Sequence, residues 1–262
     1  FNEDMFLVMK DEKKEVTLLA LGDGVSTAKL GSGKEASSIL RKNIIEAFKE
    51  EASLLKDETS IKEFCSKVIV KSNIDIIESI KAKVDITKET PSGIMATTLI
   101  LAVIVRNKMY YTSIGDSRLF IYSEKDGLNL LNYEDNVMNL KLANGMVWDK
   151  VVNSEGRYAI TRYIGGGSFK DGNLYPREFT ISIHCLDLEP GQIIIICSDG
   201  VTDYINKSYY NDDLWKVTES LEKIIKENKE KSLDVLNNKI ITEANLNGGG
   251  DNITIITSKV LK

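Results

Sequence analysis

The residues best suited to chemistry are five aspartates placed at the edges of apolar runs. Asp199 and Gly200 end the run Gln192-Ile193-Ile194-Ile195-Ile196-Cys197-Ser198. Asp23 and Gly24 close Val16 to Gly22 in the same way, and Asp251 with Asn252 opens Ile253 to Ile256. Asp116 stands in Ile114-Gly115-Asp116-Ser117-Arg118. Asp203 follows Asp199 by four residues, which places both on one face if a helix begins near Gly200. Carboxylates at the margin of a core are costly to keep charged unless a cation lies among them. Carboxylate and carbonyl oxygens are the ligands that Mg²⁺ and Mn²⁺ prefer, so the pattern points to a pair of hard divalent ions. Gly24 lets the backbone approach an ion closely and offers its carbonyl. Asp-Gly is equally an ordinary turn dipeptide. Asp116 could pair with Arg118, and Asp251 could cap a turn. The metal reading rests on the set, spread over four separate places with no cationic cluster to balance it.

What is missing narrows the chemistry. His184 is the single histidine. It lies in the apolar run Phe179 to Leu186 and reads as a structural strand residue, so no Ser-His-Asp or Cys-His machinery has a motif behind it. Cys65, Cys185 and Cys197 form no C-x-x-C pair and read as buried, reduced thiols of a cytoplasmic protein. A net charge of −5 with dispersed Lys and Arg argues against a nucleic-acid groove. No apolar run reaches 18 residues, so no membrane span is expected. Phe1 looks like the interior of a longer protein, which leaves a removed leader open.

The elements that must position these residues follow from periodicity. Short strands are expected at 4–9 and 15–22, the first apolar throughout and so covered on both faces. Amphipathic helices follow at 33–56 and from Ser60 to Ala82, the second opened by Ser60 with Glu63 as a capping box. A β meander is expected at about 95–106, 108–115, 118–123 and 128–132. A flap or insertion spans about 136–175. Strands return at 178–184 and 191–198, helices at 200–206, 213–226 and 231–244, and a last strand at 252–259. Strand runs flanked by helix pairs, without βαβ alternation, predict an α+β fold of antiparallel sheets in one domain covering 1–262.

The ordered segments resemble the metal-dependent protein serine/threonine phosphatases of type 2C. They are Asn2-Glu3-Asp4, Leu21-Gly22-Asp23-Gly24-Val25-Ser26 with Gly33 to Ser37, Ala96-Thr97-Thr98, Ile114 to Arg118, Thr161 to Gly165, Leu188 to Gly191, Cys197 to Gly200, and Asp251 to Thr254. The resemblance implies a four-layer α-β-β-α sandwich, two antiparallel sheets flanked by helix pairs. It implies Mn²⁺ or Mg²⁺, two ions with a weaker third. Asp23 would bridge two ions and the Gly24 carbonyl would bind one. Asp199 and Asp251 would hold the other, Glu3 and Asp4 would act directly or through water, and Asp116 and Asp203 would serve the third ion. Asp23, Asp199 and Asp251 would be the catalytic set. A metal-activated water would then attack a phosphoserine or phosphothreonine of a protein substrate, with a serine/threonine kinase as natural counterpart.

Two departures matter. The family places an arginine three residues before the Asn of its first motif, where it grips phosphate. That position lies upstream of Phe1, and no substrate-binding residue can be named. Val25 stands where animal members carry a histidine, a bacterial trait. The alternative is a catalytically weak or inactive relative that binds phosphopeptides or partner proteins.

Overall fold

A computed structural model describes residues 1–83, 93–206 and 214–261. The chain opens with β1 (Met5–Asp11) and β2 (Val16–Gly22), then α1 (Gly33–Glu51), a 3₁₀ turn (Ala52–Leu54) and α2 (Glu58–Lys81). Next come β3 (Ala96–Thr97), β4 (Leu99–Val105), β5 (Lys108–Ile114), β6 (Arg118–Ser123) and β7 (Gly127–Leu130). Two short helices follow, α3 (Val137–Ala143) and α4 (Trp148–Val152), then β8 (Ile164–Gly165), β9 (Ser168–Lys170) and β10 (Asn173–Tyr175). The last third holds β11 (His184–Asp187), β12 (Ile193–Cys197), α5 (Asp199–Thr202), α6 (Leu214–Asn228), α7 (Leu233–Leu246) and β13 (Ile255–Lys259). Among the described residues no helix is long and apolar enough to cross a membrane.

The chain divides into two compact units. The first comprises Phe1–Ile114 and Arg162–Asp187. Its antiparallel sheet has the order β1-β2-β4-β5-β11, with Met5 opposite Gly22 and Leu99 opposite Ile114. Helices α1 and α2 bury Leu40, Ile44, Phe48, Ile61, Phe64, Ile69 and Ile76 against Leu18, Ala20, Leu101 and Val103 of the sheet. Inside the helix pair, the amide of Asn43 donates to Ser72 and Asp75, so the buried polar groups are satisfied.

The second unit comprises Gly115–Thr161 and Leu188–Lys262. Its antiparallel sheet has the order β13-β12-β6-β7. All five residues of β12 are buried, so the isoleucine run is a strand covered on both faces. Phe120, Tyr122, Ile193, Ile195 and Cys197 pack against Leu221 and Ile225 of α6 and Leu236 and Ile240 of α7. Each such aliphatic side chain contributes roughly 1.5–3 kcal/mol on burial. Two antiparallel sheets with their own helix pairs make this an α+β fold, as the periodicity predicted.

Several expectations need correction. In β1, Met5 and Leu7 are buried but Phe6 and Val8 are 60% and 53% exposed, because this edge strand is covered on one face only. The cap of α2 is Asp57, not Ser60. The Asp57 carboxylate accepts from the Ser60 N–H at 2.9 Å, and the Ser60 hydroxyl accepts from the Asp57 N–H. The expected strand 95–106 breaks at Thr98: β3 pairs with β8, whereas β4 joins β2 and β5. The meander is also two hairpins, since β5 and β6 belong to different sheets and Gly115, at φ 100°, carries the chain between them. The strand expected at 178–184 begins only at His184. Phe179, Ile181 and Ile183 are partly buried against the first core, so their alternation is real without being a ladder. The helix expected at 200–206 shrinks to α5. The start expected at 213 lies outside the described residues.

His184 and Cys185 are exposed on the edge strand β11, and the His184 ring stacks on Tyr111 with centroids 5.3 Å apart. Cys185 therefore does not share the burial expected of all three thiols; Cys65 and Cys197 do.

Candidate active site

In the first unit, the end of β2 is pinned by two threonines. The Asp23 N–H donates to Thr98 Oγ1 at 2.9 Å, and the Asp23 carbonyl accepts from the Thr98 N–H at 2.8 Å and Thr97 Oγ1 at 2.9 Å. The break between β3 and β4 is thus what fixes Asp23. Gly24 lies so close to the first residue of α1 that a Cβ there would stand 2.4 Å from the Gly33 carbonyl carbon and 2.7 Å from the Glu3 carbonyl oxygen. Glu3 joins the same corner: its Oε1 accepts from the Lys34 N–H at 3.2 Å, and its carbonyl accepts from Ser37 Oγ at 2.6 Å. Asp4 is 6% exposed, and its N–H donates to Asn2 Oδ1. Of the predicted residues, Glu3, Asp4, Asp23 and Gly24 belong to this unit, with Glu3 and Gly24 in direct backbone proximity at the start of α1.

In the second unit, Asp199 is the first residue of α5, directly after buried Ser198. The Ser198 hydroxyl accepts from the Thr254 N–H at 3.1 Å and donates to the Asn252 carbonyl at 3.3 Å. Gly200 permits this: a Cβ there would lie 2.1 Å from the Asn252 carbonyl oxygen and 3.4 Å from Asp251 Cβ. The two predicted Asp-bearing loops therefore meet. The Asp203 N–H donates to the Asp199 carbonyl at 2.7 Å, the helical turn that the four-residue spacing required.

Asp116 is held from below. The Gly115 N–H donates to Asp135 Oδ2 at 3.0 Å, and the Asp135 N–H donates to the Gly115 carbonyl at 2.8 Å. Asn132 accepts from the Leu119 N–H and donates to the Ser117 carbonyl. Among the described residues Arg118 forms its ion pair with Glu134, donating from Nε to Oε1, and not with Asp116; the Arg118 and Glu134 side chains are only 14% and 10% exposed. Asn136 holds the other oxygen of Glu134 at 2.9 Å.

The electrostatics tie this unit together. Burial, then the charges of Asp199 and Glu134, push the Asp116 carboxyl well above its usual range, while Arg118 pulls it down. The Asp203 carboxyl is pushed up to about 7 by burial and by Asp199, against Arg118, with Glu134 and Asp251 adding to the rise. As a residue Asp203 is exposed. Asp199 thus lies within electrostatic reach of both Asp116 and Asp203, and Asp251 within reach of Asp203, with Arg118 acting against the rise at both carboxyls. Among the described residues no three His, Cys, Asp or Glu side chains are arranged as a ready metal cage. The donor set is nevertheless all hard oxygen, and a divalent cation would offset the repulsion recorded at Asp116 and Asp203.

Sequence reasoning missed Glu134 and its fixation of Arg118. The one available signal was the largely polar run Asn132 to Asn136, separated from the end of β7 by one residue. Burial pushes the Cys65 and Cys197 thiols up to about 12, so neither is a nucleophile at neutral pH.

Solved structures share the fold. The serine/threonine phosphatase of S. agalactiae superposes with a TM-score of 0.76 at 23% identity, covering 100% of this chain and 94% of that one. The catalytic domain of the serine/threonine protein phosphatase PstP, solved in complex with two manganese ions, gives 0.69 at 19% identity, covering 100% and 93%. The fold is therefore that of the bacterial serine/threonine phosphatases. In sequence, the serine/threonine phosphatase stp of Listeria innocua is 23% identical over 256 residues, 97% of this chain and 88% of that one. Residues 1–238 match the protein phosphatase 2C family, and the chain belongs to that family.

Proposed function

We propose that this protein hydrolyses phosphoserine and phosphothreonine in phosphorylated proteins by a metal-activated water, with residues 1–262 acting as one catalytic domain. The observation that carries the reading is the carboxylate cluster of the second unit, where burial and like charge raise Asp116 and Asp203 in a chain of the 2C family. The residues proposed to hold Mn²⁺ or Mg²⁺, two ions with a weaker third, are Asp23, the Gly24 carbonyl, Glu3 and Asp4 in one unit, and Asp199, Asp251, Asp116 and Asp203 in the other. Bound divalent ions lower the pKa of water toward neutrality and neutralise phosphoryl charge.

The chain's own residues hold the oxygens in place. Thr97 and Thr98 lock the Asp23 backbone, Ser198 and Gly200 hold Asp199 beside Asp251, and Asp135 fixes the turn before Asp116. No side-chain nucleophile is required, which agrees with the inert buried thiols. A serine/threonine kinase is the reaction class that supplies the substrate, and free Cys65 and Cys197 suit the reducing cytoplasm. Phosphate release from a phosphothreonine peptide should require Mn²⁺ or Mg²⁺ and stop with EDTA. Metal-independent release would overturn the reading.

A further inference from the structure

Arg118 occupies a particular place in the register. It lies two residues after Asp116 at the start of β6, and its partner across the ladder is Cys197, two residues before Asp199. A fixed positive charge therefore sits between the segments that carry two proposed ligands. Its side chain is 14% exposed, its buried Nη1 has no hydrogen-bond partner among the described residues, and Glu134 binds its Nε. Glu134 is itself immobilised, with one carboxylate oxygen on Arg118 and the other on Asn136, while its carbonyl accepts from the Asn139 amide at 2.9 Å.

A buried arginine beside a divalent-cation site would compete with the ion, since like charges in a poorly screened interior repel strongly. A carboxylate bound to that arginine cancels the effect and leaves the aspartates free to serve the metal. We propose that the Arg118–Glu134 pair is a positioning device that sets the affinity of the second unit's aspartates for divalent metal. Arg118 offsets part of the repulsion among the carboxylates, and Glu134 limits how strongly Arg118 repels the ion. The inference rests on the metal-dependent reading above.

The test is Mn²⁺ binding to the whole protein, measured by calorimetry and by the paramagnetic resonance signal of free Mn²⁺. Thermal unfolding of each variant confirms that it is folded. Glu134→Gln leaves Arg118 uncompensated and should weaken Mn²⁺ binding by on the order of tenfold. The double variant Arg118→Gln with Glu134→Gln removes both charges and should return the affinity to the wild-type range. A folded Glu134→Gln protein with unchanged Mn²⁺ affinity overturns the proposal. So does a double variant as weak as the single one, since the pair would then matter only as packing. Failure of the wild-type protein to bind Mn²⁺ at all would instead sink the metal reading itself.

Discussion

Gly24 and Gly33 pack backbone against backbone: a Cβ on either would lie 2.4 Å from the other's carbonyl carbon. Neither atom in that clash is the end of a flexible side chain, so the backbone itself must move. Gly33→Ala should therefore cost about 1–3 kcal/mol, the range for overpacking a tight site. It should also disturb Glu3, whose carboxylate is held by the next N–H of the helix. Urea unfolding would show the lower midpoint. A variant as stable as wild type would mean that the helix can retreat without penalty.

Asp199 and Gly200 make the sharpest mutational pair. Asp199→Asn keeps shape and size but removes the charge, so turnover on a phosphothreonine peptide should fall by on the order of 100-fold or more while the circular dichroism spectrum stays native. Gly200→Ala works differently, because its methyl group would meet the Asn252 carbonyl oxygen at 2.1 Å. It should lower stability as well as activity. Native-like melting with lost turnover in the first variant, and a depressed melting temperature in the second, would separate the two roles.

The candidate site was legible where one strand end carried its own punctuation. Asp23, Asp199 and Asp251 stand out because an apolar run stops on, or starts after, an acidic residue beside glycine. The contact between the 199 and 251 loops could not be read that way, since it depends on Ser198 bonding to Asn252 and Thr254, more than fifty residues away. Thr98 was named within the resembling segment Ala96-Thr97-Thr98, but its bond to Asp23 could not be read for a related reason. Met95 to Val105 is almost uniformly apolar, and hydropathy cannot show that two threonines bond the Asp23 backbone and split the strand. At α2, Asp57 and Ser60 are both good capping residues, and Glu63 three positions after Ser60 made the wrong one look complete. Glu134 reaches Arg118 only because the β6–β7 hairpin folds back, a pairing encoded in the hairpin rather than in either residue.

The three thiols should separate under a thiol-specific reagent. Cys185 lies exposed on an edge strand, whereas burial pushes Cys65 and Cys197 up to about 12, where almost no thiolate exists at neutral pH. In the native protein one thiol per chain should react readily, and all three should react in guanidinium. Cys185→Ser should abolish the fast phase and leave stability nearly unchanged. Fast reaction of two or more thiols in the native state would show that one of the cores opens on the labelling timescale.

The cap of α2 gives a pH dependence with a definite sign. The Ser60 N–H, and after it the Ser60 side chain, hold the Asp57 carboxyl below its ordinary value of 3.8. A carboxyl with a lowered folded pKa contributes stability that is fully present above its unfolded pKa and is lost as pH falls through the folded one. Urea unfolding of wild type and Asp57→Ala should therefore show a constant gap in midpoint from neutral pH down to about pH 5, narrowing below about pH 4 to what a neutral cap contributes. Asp57→Asn, which keeps an oxygen acceptor but cannot ionise in this range, should show a smaller gap at neutral pH. That gap should narrow over the same acid window as the wild-type carboxyl protonates. An Asp57→Ala gap that does not narrow at all as the pH falls through the acid range would mean that the cap acts through its shape and not through its charge.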